Sequence, residues 1–243
     1  MMSKLLASAL FLLLSPVTVM AHASQAVEET SHEVVLPKHV QERLDFRKNV
    51  PHTLTDAITA EDVSKARTDY SYVDPTRMIP AKLRETALTY FDVNKKNFAN
   101  QKYIAIIDFS AHSSKARFFL VDMTTGKVQA FHTSHGKGSD TNNDGYAERF
   151  SNKSGSEMSS VGFYRVAETY SGKHGYSVRL DGLSSTNSNA RARAVVIHPA
   201  DYVSESKSKA GRSWGCPALD PKYSAKIIAA LKNGAMLYAN TSK

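Results

Sequence analysis

The spacing of apolar and polar positions changes several times along this chain. Leu5 to Leu14 is an almost unbroken apolar run, with Phe11 inside it. Residues 24–79 are mostly polar and interrupted by Pro37, Pro51 and Pro75, so they read as an extension of loosely packed helices and linker. One short helix is expected after Thr59, where Asp62 three positions on completes part of a capping box. After Pro80 the pattern sharpens. Leu83, Ala87, Leu88 and Phe91 recur at helical spacing and predict a helix with one apolar face. The period then falls to that of strands, over 103–107, 116–121, 128–131, 162–166, 177–180 and 194–197. Thr124-Thr125-Gly126-Lys127 supplies a hairpin turn between the second and third. A last helix is bounded by Asp220 as cap, Pro221 at the first helical position and Gly234 beyond its end. Tyr223, Ile227 and Leu231 form its buried stripe, and Met236 to Ala239 returns to the sheet. Strands this short and this frequent predict a mostly β core, a sandwich or barrel with peripheral helices, over residues 80–243.

The chain has 243 residues, 42% apolar and 22% charged, which is ordinary for a globular protein with a full core. Lys4, the apolar run and the small-residue site Ala21-His22-Ala23 are the parts of a cleavable secretory signal over residues 1–23. The run is too short for a membrane span, although an uncleaved anchor is the alternative. No further long apolar stretch follows, so no stable membrane insertion is expected after cleavage, and the product would be periplasmic or secreted. The formal net charge of +8 favours anionic partners. Peptidoglycan with its peptide carboxylates qualifies. Nucleic acid would need a recognition motif, and the sequence offers none.

There is a single cysteine, Cys216, in a chain expected in an oxidising compartment. It has no partner for an internal disulfide, so it is either an apolar filler or a working nucleophile. It sits in Gly211-Arg212-Ser213-Trp214-Gly215-Cys216-Pro217, eighteen positions after His198, which itself ends the strand-like Val195-Val196-Ile197. A thiol attacks as thiolate, and an imidazole can take its proton. Gly215 leaves room behind the sulfur, and free N–H groups of the turn can face a developing oxyanion. Pro217 keeps Cys216 out of the α region. Taken singly, a His after a strand is more often a satisfied polar residue, and a lone Cys is as often inert.

Together these residues resemble the motif of the YkuD-type L,D-transpeptidases, and more closely the murein L,D-transpeptidase catalytic domain branch. His198, fourteen intervening residues, and Ser213-Trp214-Gly215-Cys216 carry the likeness. His135-Gly136-Lys137-Gly138-Ser139, Phe150-Ser151-Asn152, Ser159-Ser160-Val161-Gly162 and the Tyr170–Leu183 segment with Gly172, Gly175, Arg179 and Gly182 support it. The resemblance implies Cys216 as nucleophile and His198 as acid–base, with a backbone carbonyl orienting the ring. It implies oxyanion donors at the Gly215 and Cys216 N–H groups, with Ser213 lining the pocket. His135, Gly136, Arg212, Trp214 and Arg179 are the substrate-binding candidates. The implied substrates are peptidoglycan stem peptides, and the implied acceptor is an amine of a neighbouring stem. Attachment of a wall lipoprotein is a further outlet for the same thioester. No cofactor is implied. Two positions depart from the family pattern: Trp214 stands where a second His is usual, and Ala218 where an Arg is usual. Arg212 is the candidate substitute for that Arg.

Three rivals stay open. Water could resolve the thioester, giving an L,D-carboxypeptidase. The missing Arg could mark an inactive wall-binding relative. Another secreted cysteine peptidase is the third, although His preceding Cys argues against the order of NlpC/P60-type enzymes. Arg191 and Arg193 are expected to alternate on one strand face, solvated or binding a carboxylate. Asp140-Thr141-Asn142-Asn143-Asp144-Gly145 mimics the start of a calcium loop, but Ser151 at its twelfth position makes a polar turn the better reading, so no metal is expected.

Overall fold

The computed structural model describes residues 58–243. The expected signal and the extension up to residue 57 lie outside the described residues. Seven strands form one sheet: β1 (Tyr103–Asp108), β2 (Phe118–Asp122), β3 (Val128–Phe131), β4 (Gly162–Gly172), β5 (Gly175–Gly182), β6 (Val196–Ile197) and β7 (Met236–Asn240). Their order is β3-β2-β1-β7-β4-β5-β6. β1 and β7 run parallel, and every other neighbouring pair is antiparallel. The result is a curled mixed sheet, a half-barrel with a few helices.

Among the described residues three α-helices accompany it: α1 (Ala60–Asp69), α2 (Ala81–Asn94) and α3 (Pro221–Leu231). They explain why β1 reads as a continuous apolar run rather than an alternating one. Ile104 and Ile106 share one cluster with Leu83, Ala87 and Phe91 of α2. Ala105 and Ile107 share another with Ile227, Ile228 and Leu231 of α3. A strand covered on both faces has no solvent side to mark with polar residues. The same holds for β7, where Met236 and Tyr238 face the first cluster and Leu237 and Ala239 the second. On the α2 side, Tyr90 stacks on Phe163 at 3.6 Å between centroids, and Phe163 on Tyr238 at 4.4 Å. The expected mostly β, barrel-like core with peripheral helices is thus a single curled sheet, with α2 against one face and α3 against the other.

Two sequence expectations change. Residues 58–79 are not loosely packed. Thr59 and Asp62 form a complete capping box, and α1 is tied to α2 by Lys65–Asp92 at 2.6 Å and Arg67–Glu85 at 2.7 Å. Val73 and Ile79 are buried in the α2-side cluster. The strand expected over 194–197 shrinks to Val196–Ile197, because residues 184–194 coil into successive turns and Ala194 takes a positive φ of 55°. Arg191 and Arg193 are thus on turns, not on one strand face.

Asp74 anchors the segment before α2. Its side chain is fully buried, and its carboxylate accepts the N–H groups of Met78 (2.8 Å) and Ile79 (2.9 Å) and pairs with Arg84 at 3.3 Å. Its own N–H donates to Gly126 in the β2–β3 turn at 2.9 Å. Asp74→Ala leaves these donors without an acceptor and is expected to cost about 3 kcal/mol. Urea unfolding should show this as a lower midpoint with an unchanged slope.

Candidate active site

The turn that carries Cys216 hangs from a second segment, residues 133–137. Ser213 N–H donates to His135 C=O at 2.8 Å, and Lys137 N–H to Ser213 C=O at 2.8 Å. Five residues on, Ser134 N–H donates to Ala218 C=O at 3.1 Å, and the Thr133 hydroxyl to the same carbonyl at 2.9 Å. The turn is stapled inside as well. Ser213 Oγ accepts the Gly215 N–H at 3.1 Å and donates to Cys216 C=O at 2.7 Å. Ser134 Oγ donates to that carbonyl at 3.2 Å. Gly215 sits at φ +118°, and a Cβ there would lie 2.6 Å from the Met158 carbonyl oxygen. Only glycine meets both conditions.

Beyond the turn, Leu219 N–H donates to His198 C=O at 2.9 Å, and Ala200 N–H to Leu219 C=O at 2.9 Å. The residues after Cys216 therefore pair with the residues around His198. The thiol faces this edge: Cys216 Sγ lies 3.8 Å from Ala194 C=O, and the Val196 N–H points at it. His198 follows directly on β6, two residues after Val196. His198 Nδ1 donates to Pro199 C=O at 2.9 Å, which fixes the tautomer and leaves Nε2 with its lone pair. Burial pushes the half-buried Cys216 thiol up, against the Val196 N–H and Arg193, which pull it down. Burial pushes His198 down, with His174 adding to the effect and the Pro199 carbonyl opposing it. Both directions favour the neutral forms at neutral pH. That suits an imidazole that takes the proton as the sulfur attacks, rather than a preformed ion pair.

The family described as L,D-transpeptidase catalytic domain matches residues 76–240. The chain belongs to this family. The family acts on peptidoglycan stem peptides. Comparison with curated proteins gives no match. Among solved structures, an L,D-transpeptidase from Mycobacterium tuberculosis H37Rv is similar at 16% identity, with 57% of each chain covered and a TM-score of 0.39. An L,D-transpeptidase from Mycobacterium smegmatis matches at 16% identity over 58% of this chain and 59% of its own, with a TM-score of 0.37. L,D-transpeptidase 3 from Mycobacterium tuberculosis matches at 14% identity over 57% and 61%, with a TM-score of 0.39. The chain thus spans about three fifths of the length of these relatives.

Within this L,D-transpeptidase domain the remaining candidates take different places. The Gly215 N–H is already given to Ser213 Oγ, so it is not an open oxyanion donor as expected. The Cys216 N–H has no hydrogen-bond partner among the described residues. Ser213 acts as the staple just described. His135 does not flank a cleft. It is buried, its Nδ1 accepts from Arg117 at 2.7 Å, and its Nε2 donates to Asp140 at 3.1 Å, so neither nitrogen is free to serve as a base. Asp140 also accepts the Asp144 and Gly145 N–H groups, each at 3.0 Å, so the calcium-like turn spends its leading carboxylate inward. Gly136 lies beside the Cys turn, bridged to Ser213. Arg212 donates to the Asp140 carbonyl. Arg179 pairs with Glu168 at 3.4 Å and lies over the Tyr170 ring at 4.5 Å. Trp214 is 74% exposed, two residues before the thiol.

Two contributors, His174 and Ser134, escaped the sequence reading, and a third, Arg193, was expected on a strand face rather than beside the Cys216 turn. Arg193 donates to Met158 C=O at 2.6 Å and Ser151 C=O at 2.7 Å, and is the positive group acting on Cys216. Arg191, its expected companion, instead pairs with Asp181 at 2.5 Å and Glu168 at 2.6 Å. His174 lies at the tip of the β4–β5 hairpin, its ring centroid 4.6 Å from that of His198. The glycines at 172 and 175 signalled that turn, but no local pattern gives the hairpin's reach. Ser134, immediately before the His135-Gly136 phrase, had no signal beyond that proximity.

The buried Arg117–His135–Asp140 chain sets an acid limit on stability. Burial, then Arg117, pushes the His135 pKa from 6.5 to about 4. The unfolded chain therefore takes up this proton first as pH falls. The stabilisation by neutral His135 is complete above about pH 6.5 and is lost as pH drops toward 4. Urea midpoints measured between pH 7 and pH 4 should fall across this window, and the fall should shrink in His135→Gln.

Proposed function

We propose that this chain is a cysteine-dependent L,D-transpeptidase that works on peptidoglycan outside the cytoplasm. The observation that carries the reading is the Cys216 turn, fixed against the edge that bears His198, with His198 Nε2 left free by the Nδ1–Pro199 hydrogen bond. Cys216 Sγ attacks the carbonyl between the diamino acid and the terminal D-residue of a tetrapeptide stem. His198 Nε2 takes the thiol proton and returns it to the amine of the departing D-residue. A thioester remains. An amine of a neighbouring stem then attacks it, and His198 relays that amine's proton to the sulfur. The Cys216 N–H is the donor free to meet the oxyanion.

Two other outcomes share this site. Water as acceptor makes the protein an L,D-carboxypeptidase, and no acylation at all makes it a wall-binding relative. The charge expected from the missing Arg has a counterpart in Arg193, which favours an active site. On this reading residues 1–23 are a cleavable export signal, and N-terminal sequencing of exported protein should find a start near Ala21 to Ser24.

The decisive experiment incubates the protein with sacculi rich in tetrapeptide stems and analyses the muropeptides. Crosslinked dimers should appear with wild type and not with Cys216→Ala. Shortened tripeptides alone would identify the carboxypeptidase, and no change would identify the wall binder. Carbapenem should add one adduct by intact mass, absent in Cys216→Ala. His198→Ala should slow that acylation by about two to four orders of magnitude at neutral pH. The deficit should narrow as pH rises into the free thiol's range, because hydroxide then makes the thiolate unaided. Equal acylation by His198→Ala and wild type at pH 7 would remove His198 from the mechanism.

A further inference from the structure

Trp214 is the only tryptophan of the chain, and it is held out in solvent by a turn that is otherwise tightly bonded. Its neighbours Ser213 and Gly215 are both hydrogen-bonded, so the exposure of the indole belongs to a fixed backbone and not to a loose loop. The Lys137 ammonium lies over the ring, 5.5 Å from its centroid. The same ammonium is 2.9 Å from the Glu157 carboxylate. Glu157 is held in place from its backbone side. It takes a positive φ of 54°, its carbonyl accepts the Gly138 N–H at 3.0 Å, and the 136–138 segment runs so close that a Cβ on Gly136 would lie 2.3 Å from that carbonyl oxygen. A non-glycine residue kept in this conformation carries a conformational cost that the surrounding contacts sustain.

An indole face and a fixed carboxylate on either side of an alkylammonium form a binding site for that head group. Here it is filled by a side chain of the protein itself, through a weak contact. The Lys137 and Glu157 side chains are 45% and 34% exposed, and an ion pair so solvated exchanges readily. The place matters because Trp214 precedes the nucleophile by two residues.

We propose that Trp214 and Glu157 form the docking site for the acceptor, a primary alkylammonium on a diamino acid side chain, with Lys137 as a built-in occupant that the acceptor displaces. This rests on the transpeptidase reading and deepens it, because it gives a reason for an amine rather than water to resolve the thioester. The docked ammonium releases one proton to solvent as it leaves the ring. The neutral amine attacks the thioester carbon, the C–N bond forms and the C–S bond breaks. The second amine proton passes through His198 Nε2 to the departing sulfur, which restores the Cys216 thiol.

A lone tryptophan makes the site directly readable. Fluorescence of the full protein is titrated with Nα-acetyl-lysine amide, and in parallel with its neutral Nε-acetylated analogue. The ammonium should give a saturable change and the neutral analogue none. Glu157→Gln should weaken this binding by about threefold to tenfold, and Lys137→Met should tighten it. Equal responses to the two probes, or binding that neither substitution moves, would overturn the proposal whether or not the protein acylates. In turnover, Glu157→Gln and Trp214→Leu should lower the ratio of amide to acid formed from one thioester as acceptor is added. An unchanged ratio in both would also overturn it. Absence of a thioester in wild type would instead count against the transpeptidase reading and leave the fluorescence result to decide the ammonium site.

Discussion

The pairing of residues 133–137 with residues 213–219 is the constraint on which the site depends. Cys216 lies between two points of attachment, Ser213 with His135 and Lys137, and Ala218 with Thr133 and Ser134. Hydroxyls of Ser134 and Ser213 converge on the Cys216 carbonyl between them. With its carbonyl side satisfied, the residue keeps its thiol and its N–H for the opposite side. Under this ladder lies the Arg117–His135–Asp140 chain, whose buried groups are satisfied by one another and by backbone. Such a buried polar network fixes one arrangement of the segments above it, since any slip leaves several of its groups unpaired at once.

Dehydration sets the chemistry. Burial raises the thiol and lowers the imidazole, and both directions favour the uncharged forms. Two nearby groups temper this. Arg193 draws the thiol back down from one side, and His174 pushes His198 further down from the other. Ala218, where the family usually has an Arg, is fully buried with its N–H on Ser134 Oγ at 3.1 Å. A long charged side chain has no room there. The positive charge near the sulfur arrives from a different part of the chain.

Much of the fold was written in local patterns. The cap at Asp220, the stripe of α3, the β2–β3 turn and the apolar runs of β1 and β7 each follow from a few adjacent residues. Cys216 and His198 were legible as candidates because a single cysteine in a glycine turn and a histidine after an apolar strand are both local features. The errors have one origin. Arg191 and Arg193 were read on a strand because the apolar residues beside them continue one. The backbone instead turns at Ala194, so Arg191 reaches two carboxylates and Arg193 reaches the Ser151 and Met158 carbonyls beside the Cys216 turn. His135 looked like a cleft residue because its glycine neighbours suggest a surface loop, while its two partners come from positions 117 and 140.

The sequence by itself determined the candidate residues and the element types, because a lone cysteine in a glycine turn, a histidine after a strand, caps and periodicity are properties of short stretches. It determined the family for the same reason, through a motif that spans nineteen positions from His198 to Cys216. Only the tertiary structure decided which side chains meet. The closeness of His174 to His198, of Glu157 and Lys137 to Trp214, and of Arg193 to Cys216 depends on strand register, hairpin length and the direction of turns. Those quantities are set by packing on both faces of one curled sheet, and no short stretch of sequence carries them.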